Sequence, residues 1–146
     1  MEIRRLTGAD VPSLLRLYRQ LSPEDEFPTE DAAADIWQQI EAQESIIYLG
    51  AVEAGEVVST CFLAIIPNLC HGGQSICLVE NVVTDEKYRR QGLGRRVMQE
   101  AVRIAREQGC YKVMLQSAAY RTGAHRFYEE FGFDRQRKLA FDLRLE

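Results

Sequence analysis

The sequence predicts an α/β domain, and three observations carry that prediction. Runs rich in β-branched and apolar residues (46–52, 57–66 and Ser75–Thr84) are interleaved with segments whose apolar residues recur at helical spacing. The last of these runs passes into the next helical pattern through a basic, glycine-punctuated turn, Lys87-Tyr88-Arg89-Arg90-Gln91-Gly92-Leu93-Gly94-Arg95-Arg96. The 146 residues show no linker, repeat or low-complexity segment, so residues 1–146 read as a single domain able to bury a sizeable core.

In chain order, residues 2–6 read as a first strand. Asp10 caps the helix that follows, with Pro12 in its first turn and an apolar stripe of Leu14, Leu15, Leu17, Tyr18 and Leu21. Residues 22–28 form a loop with two prolines and the acids Glu24, Asp25 and Glu26. Thr29 caps a second helix with Ala33, Ile36, Trp37 and Ile40 at helical spacing. Residues 46–52 and 57–66 pair as a hairpin around Ala54-Gly55, and 67–74, with Gly72-Gly73, turn the chain into the central strand Ser75–Thr84. The helix it feeds, 92–108, carries Leu93, Val97, Met98, Ala101, Val102 and Ala105 on one face and ends at Gly109. Three consecutive apolar residues, Val113-Met114-Leu115, mark 112–116 as a buried strand. A short helix spans Thr122–Phe131 and stops at Gly132, and 139–145 alternates apolar with polar residues, the pattern of a last, partly exposed strand.

Composition excludes several classes. A hydrophobic content of 46% with 27% charged residues is ordinary for a soluble globular protein. The N-terminus, Met1-Glu2-Ile3-Arg4-Arg5, lacks the apolar stretch of a signal peptide, and the apolar run at 61–66 is ended by Pro67, too short to span a membrane. Cys61, Cys70, Cys77 and Cys110 show no framework spacing and read as reduced thiols of a cytoplasmic protein. With His71 they lack the close cysteine pairs of a structural zinc site, so no metal is expected. A net charge of −4 argues against general nucleic-acid binding.

Against that acidic background, Lys87 to Arg96 holds five basic residues and no acidic one. Glycines at 92 and 94 let the backbone turn tightly and converge N–H groups at a helix N-terminus, which attracts anions. Arg95 and Arg96 fall in the first helical turn, where a cation is unfavourable without a bound anion. A phosphate-rich ligand accounts for both features. The Gly-Lys-Ser/Thr of a P-loop is absent, and Val97 stands where a dinucleotide fingerprint needs its third glycine.

Arg89-x-x-Gly92-x-Gly94, followed downstream by Phe127-Tyr128-Glu129-Glu130-Phe131-Gly132-Phe133, resembles the GNAT family of N-acetyltransferases. The likeness covers roughly the whole chain in element order, with its specific motifs between Glu80 and Phe133. It implies a central mixed sheet of about six to seven strands flanked by about four helices. It also implies an enzyme that moves acetyl from acetyl-coenzyme A, its co-substrate, to a primary amine by direct attack in a ternary complex. Arg89, Arg90, Gln91, Gly92, Leu93, Gly94 and Arg95 would hold the pyrophosphate, and the backbone of Val82, Val83 and Thr84 would pair with the pantetheine arm.

An alkylamine of pKa about 10.4 must lose a proton before it attacks, and Glu80 is the candidate base, directly or through water. The alternative is a strand carboxylate paired with an arginine. Strand alternation puts Glu80 and Asn81 on opposite faces unless a bulge intervenes. Tyr128 matches the family tyrosine that protonates the coenzyme A thiolate, although Ala124, Phe127, Tyr128 and Phe131 also follow the spacing of any packed helix. Arg121 stands where many members have a cofactor-binding asparagine and would contact phosphate or pantetheine, or point to solvent. Glu86 replaces a common proline.

The motifs look most like small-molecule branches, including aminosugar-phosphate and aminoalkylphosphonate acetyltransferases. A small-molecule amine is therefore the expected acceptor. The alternatives are a protein or peptide N-acetyltransferase and a non-catalytic coenzyme A-binding module. Homodimers are common in the family, though the sequence offers no identifiable interface.

Overall fold

The computed structural model describes residues 1–146. In order they form β1 (Glu2–Arg5), α1 (Val11–Leu21), α2 (Glu30–Glu41), β2 (Ile46–Glu53), β3 (Glu56–Ile66), β4 (Ser75–Thr84), α3 (Leu93–Glu107), β5 (Cys110–Met114) and α4 (Thr122–Phe131). Short 3-10 turns lie at Gly8–Asp10, His71–Gly73 and Glu86–Tyr88. The chain falls into two compact units, Met1–Met114 and Leu115–Glu146. One mixed sheet fills the first, in the order β1-β2-β3-β4-β5. It is antiparallel through β4 and parallel between β4 and β5. The sheet thus has five strands, fewer than the six to seven expected, with four α-helices as expected. No helix is long and apolar enough to cross a membrane.

Local chemistry explains the element ends. Ala54 and Gly55 both adopt left-handed φ, 49° and 79°, as a two-residue hairpin turn demands. The Thr29 side chain accepts from the Ala32 N–H at 3.2 Å and caps α2. Gly132, at φ 124°, ends α4, and its N–H and that of Phe133 return to the Tyr128 carbonyl.

Each face of the sheet has its own core. Val52, Val57 and Val83 pack with Leu6, with Leu14 and Leu17 of α1, and with Trp37 of α2. On the opposite face, reached by strand alternation, Leu49, Ala51, Cys61, Leu63, Cys77 and Val79 are all buried. α3 contacts all five strands through its buried stripe of Leu93, Val97, Met98, Ala101, Ile104 and Ala105. The two buried thiols act as small apolar groups, and burial pushes Cys61 up to about 12 and Cys77 up to about 11.

Two expectations need correction. The strand expected as buried at 112–116 is β5 at Cys110–Met114, and it is only half-buried because it lies at the sheet edge with β4 as its single neighbour. The strand expected at 139–145 does not form. Its apolar residues Leu139, Phe141, Leu143 and Leu145 are 78%, 87%, 85% and 96% exposed.

Asp10 precedes α1 as expected, but its side chain makes no cap to that helix. Its buried carboxylate instead accepts two hydrogen bonds from the Arg4 guanidinium, at 2.8 and 3.0 Å, and one from the Thr7 N–H at 2.8 Å. The bonds from Arg4 outweigh desolvation and hold Asp10 below the usual carboxylate range. A depressed folded pKa contributes stability above the unfolded value of about 3.9, and that contribution is lost as pH falls through the folded value. Asp10→Asn should therefore lower stability by about 1–2 kcal/mol at pH 7. In urea unfolding, the gap from wild type should shrink steadily below pH 4.

Candidate active site

The site in the first unit is built on one irregularity of β4. Thr60 pairs with Val83 and Phe62 with Glu80, so β4 carries one residue more than β3 over this stretch. Asn81 sits in the bulge at φ 52°, a conformation asparagine tolerates better than most residues. This answers the question of faces. The bulge turns Glu80 and Val83 to the same side, the side on which α1 and α2 pack, and leaves Asn81 exposed.

Glu80 is half-buried and ends a cross-strand row, Tyr48–Phe62–Glu80. Tyr48 stacks on Phe62 with centroids 4.7 Å apart and planes 13° off parallel, and Trp37 meets Tyr48 edge-on at 5.1 Å. Tyr18 of α1, its hydroxyl enclosed, lies against Tyr48 and Asn81. Glu80 makes no ion pair with an arginine, and burial raises its pKa above the usual glutamate range. A carboxylate so placed is a stronger proton acceptor than one in water.

Beyond Glu80 one edge of β4 is open. Its pairing with β5 stops at Leu78–Met114, while β3 still pairs the other edge as far as Thr84. The Asp85 N–H bonds the Val58 carbonyl on β3 at 2.8 Å. By antiparallel alternation the main-chain groups of Val82 and Thr84 therefore face the open edge, with Val83 between them directed at β3. Thr84 is further fixed by its hydroxyl, 2.8 Å from that of Ser59, and by Arg89, whose Nε donates to its carbonyl at 3.1 Å.

The basic turn leads from this edge into α3. Gly92 is its N-cap residue at φ 75°, with open space where a Cβ would stand. The first helical bond, Arg96 N–H to Gly92 carbonyl at 3.1 Å, leaves the N–H groups of Leu93 and Gly94 ahead of it, directed out of the helix end. Arg89, Arg90, Gln91, Gly92 and Arg95 are exposed around that point. This donor set suits a diphosphate: convergent N–H groups, a helix N-terminus and several guanidinium groups.

Sequence reasoning missed what anchors the turn. Asp85, buried at 4% exposure, accepts from the Arg16 guanidinium of α1, from Gln20 Nε2 at 3.4 Å and from the Lys87 N–H at 2.9 Å. Burial disfavours its charge, but these donors together hold its pKa below the usual range. Arg16 also donates to the Val57 carbonyl at 3.1 Å, and the Glu86 N–H to Gln20 Oε1 at 3.1 Å. An aspartate just before a turn signals local capping, whereas partners 65 and 69 residues away leave no local trace.

Arg121 and Tyr128 belong to the second unit. Arg121, half-buried, is the N-cap residue of α4, and its carbonyl accepts from the His125 N–H at 3.1 Å. Tyr128 is 8% exposed, with Phe127 and Phe133 edge-on to its ring at 5.3 and 5.9 Å. The same face thus carries both the expected acid and the unit's aromatic cluster. A 610 Å³ depression on α4, lined by Thr122, His125, Arg126, Glu129 and others, includes neither residue. Of the loops expected to shape an acceptor site, Glu24, Asp25 and Glu26 are exposed, and His71 of the 67–74 loop stacks on Tyr111 at 3.9 Å.

Residues 12–133 match the model of the acetyltransferase (GNAT) family, and the chain belongs to that family. It is 37% identical over 90 residues to a glucosamine 6-phosphate N-acetyltransferase of Trypanosoma brucei brucei; the match covers 61% of this chain and spans 59% of that relative's length. A probable glucosamine 6-phosphate N-acetyltransferase of Oryza sativa subsp. japonica is 32% identical over 120 residues, covering 79% of this chain and 72% of that one. Among solved structures, a chain from Agrobacterium tumefaciens assigned to the acetyltransferases superposes with a TM-score of 0.93 at 37% identity, covering 99% of both chains.

The environment of Glu80 gives a direct test that needs no substrate. Carboxyl-carbon NMR should place its titration midpoint above the ordinary glutamate value of about 4.3, while Asp10 and Asp85 titrate below theirs. Phe62→Ser, which admits water beside the carboxylate, should move Glu80 back toward the ordinary value.

Proposed function

We propose that residues 1–146 act as one catalytic domain that transfers acetyl from acetyl-coenzyme A to the primary amine of a small molecule, by direct attack in a ternary complex. The observation that carries this reading is the continuity of β4: a desolvated carboxylate at Glu80, an open main-chain edge at Val82 and Thr84, and then a diphosphate-suited turn. The names of the trypanosomal and rice relatives support a small-molecule acceptor and make an amino-sugar phosphate the first amine to try.

When bound, acetyl-coenzyme A supplies an activated thioester; the remaining roles fall to this chain. The N–H groups of Leu93 and Gly94, with Arg89, Arg90, Gln91, Gly92 and Arg95 around them, hold the pyrophosphate. The Val82–Thr84 segment lies alongside the pantetheine arm, and one of its N–H groups polarises the thioester carbonyl. Glu80 takes the proton of the attacking ammonium, directly or through water, and its raised pKa brings its basicity toward working pH. Tyr128, a phenol protonated at neutral pH, donates to the departing thiolate. Arg121 adds a cation for phosphate or pantetheine.

Thiol release across a panel of amines and peptides tests this. Wild type should turn over one class of small amine and no peptide. Glu80→Gln should cut kcat/KM by about 10²–10⁴-fold at neutral pH and abolish the acid limb of the pH–rate profile. Tyr128→Phe should cut kcat by about 10²-fold with coenzyme A affinity by calorimetry unchanged. Absence of coenzyme A binding to the wild type would sink the reading, and binding without turnover of any amine would leave a binding module.

A further inference from the structure

Helix α1 meets β4 at three alternate positions. Arg16 donates to the buried Asp85 carboxylate, Leu17 shares a buried cluster with Val83, and Tyr18 lies against Asn81. Three consecutive helix residues thus address residues 85, 83 and 81 in turn. Leu17 is fully buried at the middle of the row, and at roughly 100° per residue Arg16 and Tyr18 splay to either side of it. The helix therefore straddles the stretch of β4 that runs from the bulge to the basic turn, with one flank at each end. Gln20, one turn on from Arg16, doubles the hold at the far end through Asp85 at 3.4 Å and the Glu86 N–H at 3.1 Å.

The two ends are held in unlike ways. At Asp85 the bonds are complete. At the bulge the Tyr18 hydroxyl is enclosed yet makes no bond of full geometry, and the Asn81 amide is the hydrogen-bonding group set against it, beside the Tyr48 phenol and the Cys61 thiol. An enclosed hydroxyl short of a bond destabilises a fold, and a phenylalanine would fill the same space without that penalty. Asn81 in turn holds a left-handed φ of 52°, a conformation that persists where its surroundings over-determine it. The hydroxyl and the bulge residue answer each other.

We propose that α1 sets the course of β4 between Glu80 and Asp85, with Tyr18 as a positioning residue whose hydroxyl engages the Asn81 side chain, fixes the bulge and so aims Glu80. Arg16 does the same for the basic turn. The inference rests on the acetyl-transfer reading of Glu80. It adds a division of labour, in which one flank of α1 governs the proton-accepting group and the other governs the grip on the cofactor.

Tyr18→Phe and Arg16→Gln separate the two flanks. Tyr18→Phe keeps the ring and removes only the hydroxyl, so its melting temperature should match or exceed that of the wild type. Its kcat should fall about 10–10²-fold, the cost of a slightly misplaced reacting group, with KM for acetyl-coenzyme A unchanged. Arg16→Gln should do the converse: the turn must then be ordered on binding, which raises that KM about tenfold and leaves kcat near wild type. Amide NMR spectra taken without ligand give a second readout. Tyr18→Phe should move the signals of residues 80–82 and spare those of 87–94, and Arg16→Gln should do the reverse. A Tyr18→Phe enzyme with wild-type kcat, or with its amides at 80–82 in place, overturns the proposal. So does a fall in kcat that comes with a fall in melting temperature, the mark of a purely structural hydroxyl. A wild type inert toward every amine would discard the acetyl-transfer reading instead, and the amide spectra would still decide whether α1 braces the bulge.

Discussion

The extra residue at Asn81 is the constraint on which the first unit's chemistry rests. Between Phe62 and Thr60 the chain of β3 advances by two residues while β4 advances by three, and the excess is absorbed at a left-handed φ of 52°. A regular strand would send Glu80 and Val83 to opposite faces. With the bulge, Val83 goes into the core beneath α1 while Glu80 stays on the same face, at the rim where Tyr48 and Phe62 exclude water. β4 parts from β5 two residues before the bulge, after Leu78. One edge of a central strand, normally consumed by sheet pairing, thereby goes unpaired with β5 beyond Leu78.

The charged turn is held by a different kind of interaction. Exposed arginines and αL residues at Arg90 and Gly92 would leave a free loop with many conformations. Asp85 counters this by gathering Arg16, Gln20 and the Lys87 N–H around one buried carboxylate, and Arg89 ties the turn back to Thr84. Much of the turn's order thus comes from Asp85, Arg16 and Gln20, which lie outside its exposed basic set, and a turn ordered in advance loses less entropy on meeting any ligand. Three arginines then serve two ends: Arg4 and Arg16 satisfy buried carboxylates, and Arg89 buckles the loop.

Legibility in the sequence followed the range of the interactions. β4 and α4 lie where alternation, helical spacing and glycine place them, because those signals act over a few residues. The hairpin turn was equally plain, but its register was not. Counting outward from Glu53–Glu56 pairs Tyr48 with Cys61, and only the irregularity after Val52 shifts it onto Phe62. The aromatic wall beside Glu80 was hidden for that reason, as were Asp10 with Arg4 and Asp85 with Arg16, where side chains abandon local capping for distant partners. The segment at 139–145 shows the complementary limit. Alternation specifies that one side of a strand is to be covered, and carries no information about which strand covers it.

The loops at 22–28 and 67–74 hang outside this frame. The first projects three exposed acids beyond α1, and the second is a glycine-bearing turn steadied by His71 on Tyr111. Neither supplies a partner to Glu80 or Asp85. Insertions, deletions or charge reversals there leave the reactive frame intact. For an engineer the two loops are therefore handles that can be rewritten without touching the bonds that order the basic turn.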